Sequence, residues 1–557
     1  MPKKKSKKFL TDIDPDQIFL DSSNLPSFDV DMFEGRIEKP IAKTALTLLG
    51  IIFAAIVIMF MGRAYFLQIT WGGYYADRSA SNSLKRISIA SPRGIIYDRN
   101  GVKLAWSELA DRTYVTQSGL SQLIGYVGYP SDAQIKSSTS TSPEDLVGKD
   151  GIEEKYNDWL RGVDGSKIVE VDARGNVQSE YLYEPGKPGG DMYLSVDERL
   201  SEKFYEYIEN LSHEYNFKGG AGVIMNVQTG EIIAMTSYPE YEPGVLSKGD
   251  DRALINGYIN DNNRPFLNRN VSGLYTPGSI VKPIFAMAAL KEGVITPEQK
   301  IFSKGYISIP NPFFPGKESI FKDWKAHGWV DMRRALSVSS DVYFYEIGGG
   351  FQDQKGLGID KLGEYARMFG LGTTTGIALN KEGDGNIPSP AWKLKNFNGD
   401  PWRIGDTYHS AIGQYGFLVT PLQMVRAVAA IATDGKLITP QIFKSSVPAE
   451  YNIINVPQED FEIVKQGMRE GVTDSDGTAR ALNVPQVTVA AKTGTAELGV
   501  SKALVNSWGV GFFPYEAPRY SFALVMEKGS RENTVGANLA IRNLIEWMAI
   551  NTPEYFK

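Results

Sequence analysis

The pattern of hydrophobic and polar positions changes character three times along the chain. The first forty or so residues are polar and charged, with Pro15 and Pro26 among them, and read as a tail without a core. Between Lys43 and Arg63 runs TALTLLGIIFAAIVIMFMG, free of charge. About 19 residues in a helix span roughly 28 Å, close to the hydrocarbon thickness of a bilayer. From 64 to about 190 the pattern is strand-rich and interrupted. Residues 88–101 read as a strand running into an Asn-Gly turn, 131–150 as an exposed Ser/Thr-rich loop or hinge, and Glu153 to Leu160 as a short helix. After Gly189-Gly190-Asp191 the pattern shifts again. Leu200, Phe204, Ile208 and Leu211 recur at helical spacing, and two apolar runs, 221–226 and 231–235, flank Thr229-Gly230 as a hairpin. Further helices, late strands and an amphipathic run over 537–548 complete an α/β or α+β pattern, a sheet with helices on its faces and an inserted helical region.

Charge settles what the apolar run does. Arg36, Lys39 and Lys43 precede it, with Lys3, Lys4, Lys5, Lys7 and Lys8 further back, whereas Arg63 stands alone after it until Arg78. The positive-inside tendency puts the amino terminus in the cytoplasm and everything beyond residue 63 outside. A cleaved leader fits less well, because the run starts far from Met1 and Gly62-Arg63-Ala64 carries an arginine at its end. The net charge of -6 gives no electrostatic case for nucleic acid. Cysteine is absent, which excludes thiolate metal sites and cysteine nucleophiles, and the histidines are only His213, His327 and His409. A nucleophile here needs a base other than imidazole.

Ser279 and Lys282 supply such a pair. Three apart on a helix, both side chains share one face, and Pro277-Gly278 before them suits an abrupt start that puts Ser279 in the first turn. There the free amides and positive helix end favour an oxyanion, and Lys282 can take the serine proton if its surroundings lower its pKa. Ser-x-x-Lys alone is weak, since on the order of two chance matches are expected at this length. A second match does occur, Ser319 to Lys322, without the Pro-Gly start. Two later motifs distinguish the first. In Ser339-Ser340-Asp341, Ser339 can relay a proton and Asp341 can orient substrate. In Lys492-Thr493-Gly494-Thr495, after a strand expected over 487–491, Lys492 brings charge, Thr493 and Thr495 bring hydroxyls for a carboxylate, and Gly494 lets a peptide lie against the strand. Alone, the first reads as a helix cap and the second as a turn. Asp323 and His327 stand at helical spacing, but without cysteine they make no convincing metal site, and no cofactor is expected.

In this order the three motifs resemble those of penicillin-binding proteins and serine β-lactamases. Residues 93–101, RGIIYDRNG, and 151–156, GIEEKY, are similar to motifs of the pedestal of class B penicillin-binding proteins, and Asn268-Arg269 and Thr229-Gly230-Glu231 are also family-like. Residues 339–345, 389–393, 405–407, 412–414 and 420–423 resemble the elongation type, penicillin-binding protein 2. The resemblance implies an antiparallel sheet flanked by helices with a helical subdomain, a strand-rich pedestal and one N-terminal transmembrane helix. The division expected is a cytoplasmic tail (1–43), a span (44–62), a non-catalytic pedestal (63–190) and a transpeptidase domain (191–557). This chain departs from the family at Asp341, where asparagine is usual, at Tyr415 after Gln414, and at Asn506 ahead of Ser507-Trp508.

The resemblance further implies D,D-transpeptidation of peptidoglycan stem peptides. Ser279 attacks the D-Ala-D-Ala carbonyl, D-alanine leaves by way of Ser339 and Lys492, and an amine acceptor resolves the acyl-enzyme. β-Lactams mimic the donor. A glycan polymerase of the SEDS family and other cell-elongation proteins are the implied partners, at the cell membrane. A β-lactamase, or a non-enzymatic β-lactam receptor or scaffold on the same fold, is the competing reading. The anchor and pedestal weigh against the former, and the intact Ser279, Lys282, Ser339, Lys492 and Thr493 against the latter.

Overall fold

A computed structural model describes residues 42–108, 111–137, 142–172, 176–311, 313–447 and 449–556, with the side chains of all but 80–83. The tail expected over 1–43 therefore lies, but for its last two positions, outside the described residues. Two compact units emerge: the described residues of Met1–Ile87 with Ile168–Tyr181, and those of Ser88–Lys167 with Leu182–Lys557.

In the first unit the uncharged run folds as helix α1 (Lys43–Tyr65), continued by a wider π-turn, Phe66–Thr70. The 28 residues Lys43–Thr70 are the one stretch among the described residues long and apolar enough, as a helix, to cross a membrane. The helix outruns the expected 44–62 because Tyr65, Phe66, Leu67 and Ile69 carry its apolar surface past Arg63. Its side chains are exposed all round, as a lipid-facing helix requires. Trp71, Tyr74 and Tyr75 follow, residue types that collect at membrane interfaces. Strands Leu84–Ile89, Gly165–Val171 and Val177–Glu184, mainly in this unit, form a three-stranded sheet.

The second unit is built on an antiparallel sheet of β1 (Gly219–Asn226), β2 (Ile232–Tyr238), β3 (Ala490–Leu498), β4 (Leu504–Phe513) and β5 (Tyr520–Ser530), in the order β2-β1-β5-β4-β3. Period-two alternation divides its side chains between two cores. Ile224, Phe522 and Leu524 pack beneath α2 (Glu198–Tyr215) and the C-terminal helix Ala537–Asn551. Val223, Met225, Ala523 and Val525 pack on the helical subdomain. That subdomain contains α3 (Lys282–Lys291), α4 (Asp341–Gly349) and α5 (Pro421–Ala432). Helix α5 is buried over all twelve residues and starts in a capping box of Thr420 and Gln423. The hairpin around Thr229-Gly230, α2 and the C-terminal helix all form where the sequence placed them.

Part of the strand-rich region shares this unit. The Asn-Gly turn joins Ile96–Tyr97 to Lys103–Glu108, with Gly101 at φ +86°. The helix expected from Glu153 to Leu160 is two short ones, Gly151–Lys155 and Asn157–Arg161, broken at Tyr156. Nor is 131–150 all loop: Asp132–Ser137 is helical and Val147–Gly148 pairs with Val127–Gly128, while 138–141 lie outside the described residues. The RGIIYDRNG and GIEEKY motifs meet in a buried ionic triad. Arg93 Nε donates to Glu153 Oε2 at 2.6 Å and Arg112 Nε to Glu153 Oε1 at 2.7 Å. Gly119 N and Ser121 N then reach into the sheet domain, donating to the Glu240 carboxylate at 2.7 and 3.1 Å.

Candidate active site

Ser279 sits on a 3-10 turn, Gly278–Val281, and Lys282 is the first residue of α3. The sequence reading put the serine in the first turn of the α-helix. The tighter turn follows from Gly278 in the left-handed region, φ +60°, and from Pro283 in the first turn of α3, which has no N–H to give. Gly278 N donates to Gly413 O at 2.9 Å, and a Cβ at 278 would come within 3.1 Å of Thr495 O. The turn that carries Ser279 is thus wedged between the 413 loop and strand β3, with Ser279 half-buried.

Three motifs far apart in sequence converge on Ser339. Lys282 is fully buried; its Nζ donates to Asp341 Oδ1 at 2.6 Å and to Ser339 O at 2.9 Å, and lies 3.4 Å from Ser339 Oγ. Lys492 Nζ, also buried, donates to Ser339 Oγ at 2.7 Å and to Thr493 O at 3.0 Å. Ser339 holds a left-handed backbone, φ +59°, which turns its carbonyl and hydroxyl toward the lysines. Ser340 is the N-cap of α4, so the helix-cap reading of Ser-Ser-Asp holds for Ser340, while its neighbours Ser339 and Asp341 contact the lysines. Phe344 closes the pocket with its ring centroid 5.3 Å from Lys282 Nζ.

Two groups here are displaced from their ordinary protonation. Burial, and then the charge of Lys282, drives the Lys492 amine well below the usual lysine value. Burial lifts the Asp341 carboxyl above its usual range, against the opposing pull of Lys282. Asp323 goes the other way. Burial would raise it, yet the His327 side chain, the charge of Lys282 and the amides of Val342 and Asp341 together hold it well below the carboxylate range.

Asp323 is the residue whose role the sequence reading missed. Its Oδ2 accepts from Ser340 Oγ at 2.9 Å and Val342 N at 3.0 Å, so it anchors the turn that presents Ser339 and Asp341. His327 Nε2 lies 3.5 Å from Asp323 Oδ1. The two stand in a loop after Glu318–Lys322, not on a helix, and among the described residues no cluster of three His, Asp or Glu could hold a metal. The i,i+4 spacing did flag the pair; its partners at 340 and 342 left no local signal.

Strand β3 starts at Ala490, later than expected, and carries Lys492, Thr493, Gly494 and Thr495 within it rather than in a turn. Among the described residues it pairs with β4 alone, which leaves its outer edge unpaired. Gly494 faces Pro277 O and Ile280, where a Cβ would press to 2.8 Å, while Thr493 is half-buried and Thr495 exposed. Trp508, opposite Gly494, donates through Nε1 to Thr276 O at 3.0 Å. The second Ser-x-x-Lys lies elsewhere. Ser319 and Lys322 are on strand Glu318–Lys322, where an i,i+3 pair faces opposite sides, and Ser319 Oγ accepts from Asn311 Nδ2 at 3.1 Å.

A serine on a tight turn, two buried lysines sharing a second serine, and an open sheet edge beside them define a serine acyltransferase of the penicillin-interacting kind. The chain belongs to the penicillin-binding proteins: residues 220–545 match the penicillin binding protein transpeptidase domain and 106–194 the penicillin-binding protein dimerisation domain. It is 31% identical over 479 residues to the peptidoglycan D,D-transpeptidase MrdA of Haemophilus influenzae, covering 80% of this chain and 70% of that protein. A solved complex of PBP2 with MreC from Helicobacter pylori superposes with a TM-score of 0.71 at 27% identity, over 84% of this chain and 98% of that one. A chain of a solved peptidoglycan synthase complex that coordinates polymerization and crosslinking gives a TM-score of 0.72 at 28% identity, over 90% of this chain and 97% of that one.

Proposed function

We propose that the protein crosslinks peptidoglycan by D,D-transpeptidation during cell elongation, with Ser279 as nucleophile. The convergence of Lys282 and Lys492 on Ser339 beside the Ser279 turn carries this reading. Ser279 Oγ attacks the carbonyl of the penultimate D-alanine while Lys282 accepts its proton. The amides of Ser279 and Thr495 hold the oxyanion. Ser339 Oγ protonates the departing D-alanine and recovers a proton from Lys282, while Lys492, its basicity lowered by burial, holds the Ser339 hydroxyl in place. Thr493 and Thr495 hold the donor's carboxylate, and the donor peptide extends along the β3 edge, while Gly494 lets the strand close on the Ser279 turn. An amine of a second stem peptide then attacks the acyl-enzyme and frees Ser279. Asp341, paired with Lys282, positions the base more directly than it orients substrate.

The functional division we propose keeps the tail at 1–43, the span at 44–62, the pedestal at 63–190 and the transpeptidase domain at 191–557. The amino terminus lies in the cytoplasm and the catalytic domain outside the membrane. The complexes formed by relatives support an assembly with an MreC-like protein and with a peptidoglycan polymerase, which we take to be of the SEDS family.

Full-length protein in detergent, exposed to a fluorescent penicillin, tests the assignment. Stable label is expected on the parent and on Ser319→Ala but not on Ser279→Ala, with D-alanine release from a pentapeptide glycan lost in parallel. Label that forms on the parent and is rapidly shed would make the protein a hydrolase. Label abolished by Ser319→Ala alone would overturn the choice of nucleophile.

A further inference from the structure

Helix α5 buries its whole surface, yet one of its side chains is a guanidinium. Arg426 is 7% exposed, and its Nε donates to Ile438 O at 2.9 Å. Among the described residues its two terminal nitrogens have no protein partner and it forms no ion pair. Burial pulls its basicity below the ordinary arginine value, and the charge of Glu382 opposes that only in part. An unpaired cation on a core helix is costly to keep, and an arginine cannot escape by losing its proton.

The guanidinium faces a cavity of about 510 Å³ whose wall also includes Arg367, Thr373, Thr374, Thr375 and Asn452. Arg367, in the last turn of Gly358–Met368, is exposed and likewise forms no ion pair among the described residues. The nearby carboxylate of Glu382 is engaged: it accepts from Thr375 N at 2.6 Å, Thr375 Oγ1 at 2.6 Å and Gly376 N at 3.3 Å. Two arginines without an ion pair among the described residues therefore line one cavity, with Thr373 and Thr374 also in its wall.

We propose that this cavity is a binding site for a phosphate group. Two planar forks of N–H donors match a tetrahedral oxyanion, and a pair of positive charges matches a phosphate better than a single carboxylate. The volume exceeds what an inorganic ion fills, so the phosphate is the head of a larger molecule, either a monoester or the diester of a lipid or polymer. The site is separate from the Ser279 pocket and shares no residue with it.

Titration of the full-length protein in detergent with sodium phosphate, against sodium chloride at matched ionic strength, tests this by calorimetry and thermal unfolding. Saturable binding and a higher Tm are expected with phosphate alone. Arg367→Ala should weaken binding by about tenfold and Arg426→Gln should remove it. Both variants should still take penicillin label. Should Arg426→Gln fail to label, the exposed Arg367→Ala decides. Dimethyl phosphate binding as well as inorganic phosphate assigns the site to diesters; inorganic phosphate binding better assigns it to monoesters or the free ion. Absence of saturable binding by about 10 mM, or equal affinity in parent and both variants, would overturn the proposal.

Discussion

Two buried clusters in this protein hold a pair of basic side chains against carboxylates, and they differ in which base they use. In the pedestal region, Arg93 and Arg112 clasp Glu153; in the active site, Lys282 and Lys492 flank Ser339, and Lys282 pairs with Asp341. The first holds two guanidiniums on one buried carboxylate; the second holds two buried amines near two carboxylates, Asp341 and Asp323, whose side chain is fully buried. Guanidiniums keep their protons, so the first cluster is a fixed clamp in which both oxygens of Glu153 are bound by Nε donors. Amines can give theirs up, and here burial and mutual repulsion drive one of them well below its ordinary value. The choice of lysine over arginine separates a cluster able to exchange protons from one that can only hold its charges in place.

Exchanging the cations breaks the comparison most severely. Lys282→Arg retains the positive charge beside Asp341 but removes the proton acceptor, and penicillin acylation should fall by roughly 100- to 10,000-fold with little change in Tm. The mirror exchange, Arg93→Lys, should leave acylation unchanged. If Lys282→Arg acylates at the parental rate, Lys282 is not the base. Removing the carboxylate of the clamp tests its other half: Glu153→Gln strands two buried guanidiniums and should destabilise the fold by about 3–5 kcal/mol in urea unfolding, without altering the acylation rate of the folded fraction.

Legibility followed the range of the interactions. Ser279 with Lys282, the α2 stripe and the Thr229-Gly230 hairpin depend on neighbours within one turn or one hairpin, and spacing revealed them. The family-like motifs outside the site were visible as strings, but their purpose was not, because each finds its partner far along the chain. Arg93 meets Glu153, Arg99 meets Glu231, and Lys393 meets Asp406 at 2.6 Å. Asp323 escaped for the same reason. Its spacing to His327 imitates a helix that does not exist, and what it grips lies beyond a strand and another helix. Ser319 is the converse case, a pattern that spacing favoured and that strand geometry cancels.

The smallest expected effect sharpens the contrast with another, half-buried carboxylate. Burial lifts Glu240 from the ordinary 4.5 to about 7, outweighing the amides of Gly119 and Ser121. The folded protein holds this proton more tightly than the unfolded chain, so the contribution to stability is complete at acid pH and is lost as pH rises through about 7. In Glu240→Gln the fall in Tm between about pH 5 and pH 8 should flatten, leaving the variant relatively more stable at the alkaline end. An unaltered slope would mean that Glu240 is not the titrating group.

The left-handed backbone of Ser339 has a consequence for the durability of drugs that target this site. Glycine, asparagine and aspartate enter that conformation most readily, and none of them carries a hydroxyl. Threonine keeps the hydroxyl, but its β-branch makes the same backbone a true outlier. A bacterium under β-lactam selection therefore has almost no route through position 339 that lowers drug acylation and preserves turnover. Escape has to come from the rim of the pocket, where side chains outside the proposed machinery can change while the backbone stays as it is.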